Sequence, residues 1–164
     1  MERVKLLLAT AGGLGLSPVA PGTFGTLAGV LIAWLLGGTG SAYPLCIAGL
    51  VVVLYVAARP LARWSERRSP TGDPGWFVLD EVLGYLVCVA WTTPPSLLAL
   101  LVAFVLFRVF DITKPPPVRR LERVHGADGI LLDDLAAGLY GLLCMALLRT
   151  QLLEDAHWVG GAPW

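Results

Sequence analysis

The stretch GILLDDLAAGLYGLL, from Gly129 to Leu143, places two adjacent aspartates inside an otherwise apolar segment. Acidic side chains in a buried or membrane-embedded helix are costly, so Asp133 and Asp134 indicate a functional site rather than packing positions. It belongs to the apolar stretch Gly129–Leu148, the only one in the chain that reaches the roughly 20 residues of a full membrane span.

The two aspartates should not point the same way, because adjacent residues of a helix are about 100° apart. Asp134 shares its face with Gly138 and Gly141. Small residues let another helix approach closely, so we expect Asp134 to point into the bundle. Asp133 lies on the same helix face as Tyr140, and we expect its side chain to face substrate or solvent.

The composition of the whole chain is that of a membrane protein. Of its 164 residues, 56% are hydrophobic and 15% are charged, against about 25% charged in a soluble domain. The length suits a single domain, 1–164. The net charge is zero, which gives no electrostatic case for a nucleic-acid partner. Cys46, Cys88 and Cys144 lie far apart in apolar blocks, so we expect them to be packing residues rather than metal ligands or disulfides.

The apolar residues come in five blocks, which predict an all-α fold: a compact, membrane-embedded bundle of about five main hydrophobic helices with long cytoplasmic loops. The blocks are Phe24–Gly37, Tyr43–Ala58, Phe77–Trp91, Ser96–Phe110 and Gly129–Leu148. Most are shorter than the roughly 20 residues that an easy span needs. Tilted spans, bilayer-thinning spans and buried helices of a bundle therefore all stay open. Gly25, Gly29 and Ala33 form a row of small residues that predicts a close helix contact.

The connections between blocks alternate in charge. Basic residues occur at the N-terminus, between the second and third blocks, and between the fourth and fifth, whereas the other two connections carry no charge. The positive-inside rule then puts the N-terminus and both basic loops, 59–76 and 111–128, in the cytoplasm. Four spans return the chain to the inside, so the last block either crosses again or does not cross.

The same topology gathers five carboxylates at one membrane face: those of Asp80, Glu81, Asp111, Asp133 and Asp134. Acids at one partly buried place repel each other and lose hydration, so a positive group must compensate. Arg108, Lys114 and His125 are candidates. So is Mg²⁺, which prefers oxygen ligands and bridges carboxylates to phosphate.

A phosphate ligand is suggested by the Gly-rich segment GGLGLSPVAPGTFGT, residues 12–26. Its composition is typical of a loop with free backbone N–H groups ahead of a helix. Arg108 could bind phosphate as a fork and Lys114 as a point charge. Structural interpretations stay open: Asp80 as a helix cap, Arg108 and Asp111 as a pair within one helix, and His125 as a solvated loop residue.

Four motifs in order, GLGLSPVAPGTFGTLAG, DEVLG, FRVFDITKPPPV and HGADGILLDDLAAG, together resemble the phosphatidylglycerophosphatase A family. They span Gly13 to Gly138. The resemblance implies a small all-helical, Mg²⁺-dependent lipid phosphatase of the bacterial inner membrane, with its active face in the cytoplasm. Its reaction would be hydrolysis of phosphatidylglycerophosphate to phosphatidylglycerol and phosphate. One departure is Ala127, which stands where we expect a second glycine after the histidine.

The resemblance and the charge pattern together give a set of predicted site residues. The predicted metal ligands are Asp80, Glu81 and Asp134. The predicted catalytic residues are Asp133, His125 and Asp111, and the predicted phosphate-binding residues are Arg108, Lys114, Thr23 and Thr26. The nucleophile would be water activated by metal, by an aspartate or by His125, with a phospho-aspartate intermediate as the alternative. The expected partners are the membrane and an anionic phospholipid, and a homo-oligomer is left open.

Two other classes of protein also fit the composition. A small transporter or channel subunit could use the acids as a cation site, but it would carry them near the middle of its spans rather than near the ends. A soluble helical bundle that acts only as a partner module would be extracted without detergent.

Overall fold

The computed structural model describes residues 1–70, 74–91, 93–121, 124 and 126–151, and these residues are largely helical. Each of the five predicted blocks corresponds to one of the longer helices, which confirms the all-α prediction for this part of the chain. The α-helices are α1 (Glu2–Ala9), α2 (Pro21–Leu36), α3 (Tyr43–Glu66), α4 (Leu79–Cys88), α5 (Leu97–Thr113), α6 (Val118–Leu121) and α7 (Ala127–Gln151), with 3-10 segments at Leu14–Leu16 and Gly37–Ala42.

Helices α4 and α7 form the centre of the bundle, and their backbones touch. A Cβ atom added at Gly84 of α4 would lie 2.5 Å from the carbonyl oxygen of Asp134, and one added at Gly138 of α7 would overlap the carbonyl oxygen of Gly84. The rest of α4 is also buried, from Val82 to Cys88. This contact places the first turn of α4 beside the aspartates of α7.

Helix α2 packs against α4 through the predicted row of small residues. Gly25, Gly29 and Ala33 are all buried. A Cβ atom at Gly25 would lie 2.7 Å from the Cβ of Val78, and one at Gly29 would lie 2.9 Å from the Cδ1 of Tyr85. The predicted close helix contact is therefore confirmed.

Helix α3 is longer than its block predicted. It continues past Ala58 to Glu66 through Pro60, although proline removes one helical hydrogen bond. Leu61 and Ser65 in this extension are buried, so tertiary packing outweighs the helix-breaking tendency of proline. The basic residues Arg59 and Arg63 therefore lie within the helix.

Large apolar side chains are exposed on the outer faces of the longer helices. Two stretches are long and apolar enough to cross a membrane: Pro21–Glu66, which contains α2 and α3, and Asp128–Arg149 in α7. Within Pro21–Glu66, only 22% of an apolar stretch of 18 residues is buried inside the protein. A core helix of a soluble protein would be mostly buried, so this exposure weakly favours a lipid environment. Representative exposed side chains are those of Leu31, Leu45, Val53, Leu101, Val105 and Leu143.

Candidate functional site

The acidic residues of three separate sequence segments meet at one end of the bundle. Asp80 and Glu81 lie in the first turn of α4, Asp111 in the last turn of α5, and Asp133 and Asp134 near the start of α7. One carboxylate oxygen from each of Asp80, Glu81 and Asp134 lies within 4.8 Å of the others. The carboxyl group of Asp111 lies close enough to Asp134 for their charges to interact. The expected gathering of carboxylates is confirmed, and their individual roles stay predictions.

The cluster is poorly hydrated. Asp133 and Asp134 are only 6% and 5% exposed. On α4, which lies outside both candidate spans, burial raises the pKa of Asp80 and of Glu81, and the charge of Glu81 raises the pKa of Asp80 further. Burial and like charges both disfavour the ionised forms, so this cluster favours binding a cation that compensates its charge.

Glu81 has a buried carboxylate oxygen, Oε2, with no hydrogen-bond partner among the described residues. Leaving such an atom unsatisfied costs roughly 1–3 kcal/mol, and more when it is charged. Hard divalent cations such as Mg²⁺ bind carboxylate oxygens of this kind. The oxygens of Asp80, Glu81 and Asp134 are therefore a donor set that fits a divalent cation.

Two basic side chains compensate the acids contributed by α5 and α7. Arg108 Nη1 donates to Asp111 Oδ2 at 2.5 Å, so the pair within one helix does form. Lys114 Nζ donates to Asp133 Oδ2 at 2.8 Å. Asp133 does not face solvent, since it is buried and Lys114 reaches it from the C-cap of α5. That it faces the substrate stays a prediction.

The Gly-rich segment packs beside the site, but it uses many of its own amides. A 3-10 segment and the first turn of α2 form here, and their amides donate to carbonyl or hydroxyl oxygens of neighbouring residues. The expectation of free N–H groups is wrong for these positions: Gly13, Gly15, Leu16, Ser17, Val19, Thr23 and Phe24.

The remaining predicted residues are placed as follows. The Thr26 hydroxyl is fully buried and donates to the Gly22 carbonyl oxygen at 2.9 Å, whereas Thr23 is half-buried at the start of α2. Their phosphate-binding roles stay predictions. Asp80 does not cap α4, since the N-cap is Val78. His125 lies outside the described residues.

Sequence reasoning missed two features near the site. The first is Gly22, whose Cα faces the Glu81 carboxylate. The second is a two-pronged ion pair between Arg59 of α3 and Asp128 of α7, with Nε–Oδ1 at 2.8 Å and Nη2–Oδ2 at 2.9 Å. Both join residues far apart in sequence, and neither has a local sequence signal.

Clustered acids that can hold a cation, next to an arginine and a lysine, are the groups that phosphoryl-transfer enzymes use. The site, together with the protein's relatives, defines the class of protein as a helical phosphatase. The chain belongs to the phosphatidylglycerophosphatase A family, whose model matches residues 7–149.

Three bacterial relatives support this membership. A protein named phosphatidylglycerophosphatase A from Escherichia coli is 34% identical over 134 residues, which cover 80% of this chain and 76% of the relative. A protein of the same name from Haemophilus influenzae is 34% identical over 154 residues, which cover 90% of this chain and 90% of the relative. A Bacteroides thetaiotaomicron protein with the provisional name phosphatidylinositol-3-phosphatase is 33% identical, covering 89% of this chain and 94% of the relative. No solved structure is significantly similar to this chain.

Proposed function

We propose that this phosphatase removes the terminal phosphate of phosphatidylglycerophosphate, giving phosphatidylglycerol and inorganic phosphate, as a step of phospholipid synthesis that depends on Mg²⁺. The observation that carries the proposal is the cluster of Asp80, Glu81 and Asp134 oxygens within 4.8 Å of one another. Two relatives named phosphatidylglycerophosphatase A support the choice of lipid. The transporter alternative is not favoured, because the acids lie at helix ends.

In this proposal, Asp80, Glu81 and Asp134 hold the cation. When bound, Mg²⁺ supplies charge neutralisation for the phosphate and lowers the pKa of a water molecule. Phosphoryl transfer requires mainly positioning and electrostatic stabilisation, so the remaining work of the protein is to orient the phosphate and to accept a proton.

In this proposal, Arg108 and Lys114 bind the phosphate by exchanging partners. Each is paired with an acid, Arg108 with Asp111 and Lys114 with Asp133. An arriving phosphate dianion competes with the two aspartates for these basic side chains. Arg108 can bind it through two N–H groups and Lys114 as a point charge. Released from Lys114, the Asp133 carboxylate accepts a proton from the attacking water. The new P–O bond forms as the bond to the glycerol oxygen breaks, and that oxygen leaves as the alcohol after taking up the proton that Asp133 accepted.

We further propose that the protein is a multi-pass protein of the bacterial inner membrane with its acidic cluster at the cytoplasmic end. The exposed apolar faces of the long helices support a lipid environment. The basic end of α3 contacts the start of α7 through Arg59 and Asp128. The cluster therefore lies at the same end as the basic segments, which the positive-inside rule assigns to the cytoplasm.

We expect the purified protein to release phosphate from phosphatidylglycerophosphate only when a divalent cation is present. EDTA should abolish the activity and excess Mg²⁺ should restore it, because the buried acids need a counter-cation. Phosphatidylinositol 3-phosphate serves as the comparison lipid, since one relative carries that name. Full activity in persistent EDTA would refute the metal requirement, and faster release from the inositol lipid would change the assigned substrate.

The membrane orientation predicts a labelling pattern for single cysteines in a variant without Cys46, Cys88 and Cys144. Arg67→Cys after α3 and Arg119→Cys in α6 should react with a membrane-impermeant maleimide only after spheroplasts are lysed. Ser41→Cys, exposed at the far end of α2, should react in intact spheroplasts. Labelling of Arg67→Cys or Arg119→Cys from outside would contradict a cytoplasmic site.

A further inference from the structure

Gly22, the second residue of α2, forms part of the wall around the Glu81 carboxylate. A Cβ atom added at Gly22 would overlap Glu81 Oε1, and it would lie 3.2 Å from Glu81 Cδ and 3.1 Å from Arg108 Nη1. No room is therefore left for a side chain between the start of α2, the acid of α4 and the arginine of α5.

The backbone of Gly22 does not itself require glycine. Gly22 is helical and its φ is outside the left-handed range that L residues avoid. In such a position alanine is normally favoured over glycine, because glycine loses more conformational freedom in a helix. The reason for glycine here is therefore the space it leaves for Glu81 and Arg108.

The group that an added methyl would displace is the end of a flexible side chain rather than a backbone atom. The Glu81 carboxylate can swing away at little cost to the fold. It would then leave the position from which its oxygen lies within 4.8 Å of those of Asp80 and Asp134. A methyl group at position 22 should therefore move the Glu81 carboxylate away from Asp80 and Asp134, while the packing of the helices stays unchanged.

We propose that Gly22 is a positioning residue that holds the Glu81 carboxylate within the donor set of Asp80 and Asp134. This inference rests on the proposed function, in which those three acids bind Mg²⁺. Gly22 acts through Glu81 and contributes no ligand of its own.

The test measures Mg²⁺ binding by titration calorimetry on the full detergent-solubilised chain, and thermal unfolding in EDTA. Gly22→Ala should raise the Kd for Mg²⁺ about tenfold or more, as changes that disturb ligand orientation do, while the unfolding midpoint in EDTA stays at or above that of the wild type. The matched control is Gly49→Ala in α3, where an added Cβ meets nothing within 4 Å. That control should leave the Kd unchanged.

A double-mutant cycle tests whether Gly22 acts through Glu81. Glu81→Gln should raise the Kd by itself, and adding Gly22→Ala to it should change the Kd less than twofold, since the displaced ligand is already impaired. Equal Kd values for Gly22→Ala and wild type would overturn the inference, as would a lower midpoint in EDTA or independent effects in the cycle. Absence of Mg²⁺ binding by the wild type would refute the metal assignment itself.

Discussion

Asp134→Asn and Asp133→Asn are expected to impair the enzyme in different ways. Asp134→Asn should raise the Mg²⁺ concentration for half-maximal activity about tenfold or more, because its carboxylate belongs to the set with Asp80 and Glu81. Asp133→Asn should lower kcat about a hundredfold at saturating Mg²⁺, as expected for loss of a general base. Asp133 is paired with Lys114 instead, so its change should leave the Mg²⁺ requirement near that of the wild type.

Steady-state phosphate release across a Mg²⁺ series separates the two effects. Asparagine keeps the size of aspartate and removes its charge, so the helix contacts should survive both changes. Asp128→Asn is the matched control: it makes the same chemical change on the same helix, but Asp128 pairs with Arg59 outside the cluster. If both variants keep near wild-type rates at limiting Mg²⁺, the aspartate pair is structural and the proposed roles are wrong.

Gly84→Ala is expected to disrupt both the fold and the site. The added Cβ would lie 2.5 Å from the Asp134 carbonyl oxygen and 2.6 Å from Phe107 Cε2, so α4 and α7 must separate. Overpacking of this kind costs about 1–3 kcal/mol or more, and each kcal/mol lowers the unfolding midpoint by roughly 2–4 °C in a domain of this size. Because Asp80 and Glu81 move with α4, activity should fall more than about a hundredfold, since small misplacements at a site have effects of that order.

Thermal unfolding and phosphate release measured on the same preparations check this expectation. Gly49→Ala again provides the comparison, because an added Cβ in α3 meets open space and should not destabilise the protein. A Gly84→Ala variant with the wild-type midpoint and wild-type activity would show that the backbones of α4 and α7 do not meet at this glycine.

The fold and the acid cluster could be predicted from the sequence where a pattern within a single segment indicated them. An acid pair in an apolar segment, a row of small residues at helical spacing and alternating loop charge were enough to predict the main helices and the gathering of the acids. These features depend on helix periodicity and on the cost of burying charge, which a single segment reveals.

The features that were missed depend on contacts between distant segments. Lys114 is one of the predicted counter-charges, but nothing near it in the sequence indicates that its partner is Asp133. Nothing near Gly22 indicates that it faces Glu81. The Gly-rich segment has the composition of an anion-binding loop, but many of its amides donate to carbonyl oxygens at the end of α1 or in its own turns. The course of α3 through Pro60 was likewise decided by buried neighbours.

The direct backbone contact at Gly84 and Gly138 has a consequence for how binding can be detected. The donor oxygens come from α4 and α7, so a cation held by Asp80 and Asp134 would join residues that are 54 positions apart in the chain. A ligand that binds only the folded state raises the melting temperature in proportion to the logarithm of its concentration once it exceeds Kd. Heat denaturation can therefore rank cations, phosphate analogues and inhibitors of this enzyme without a lipid substrate or a measured turnover.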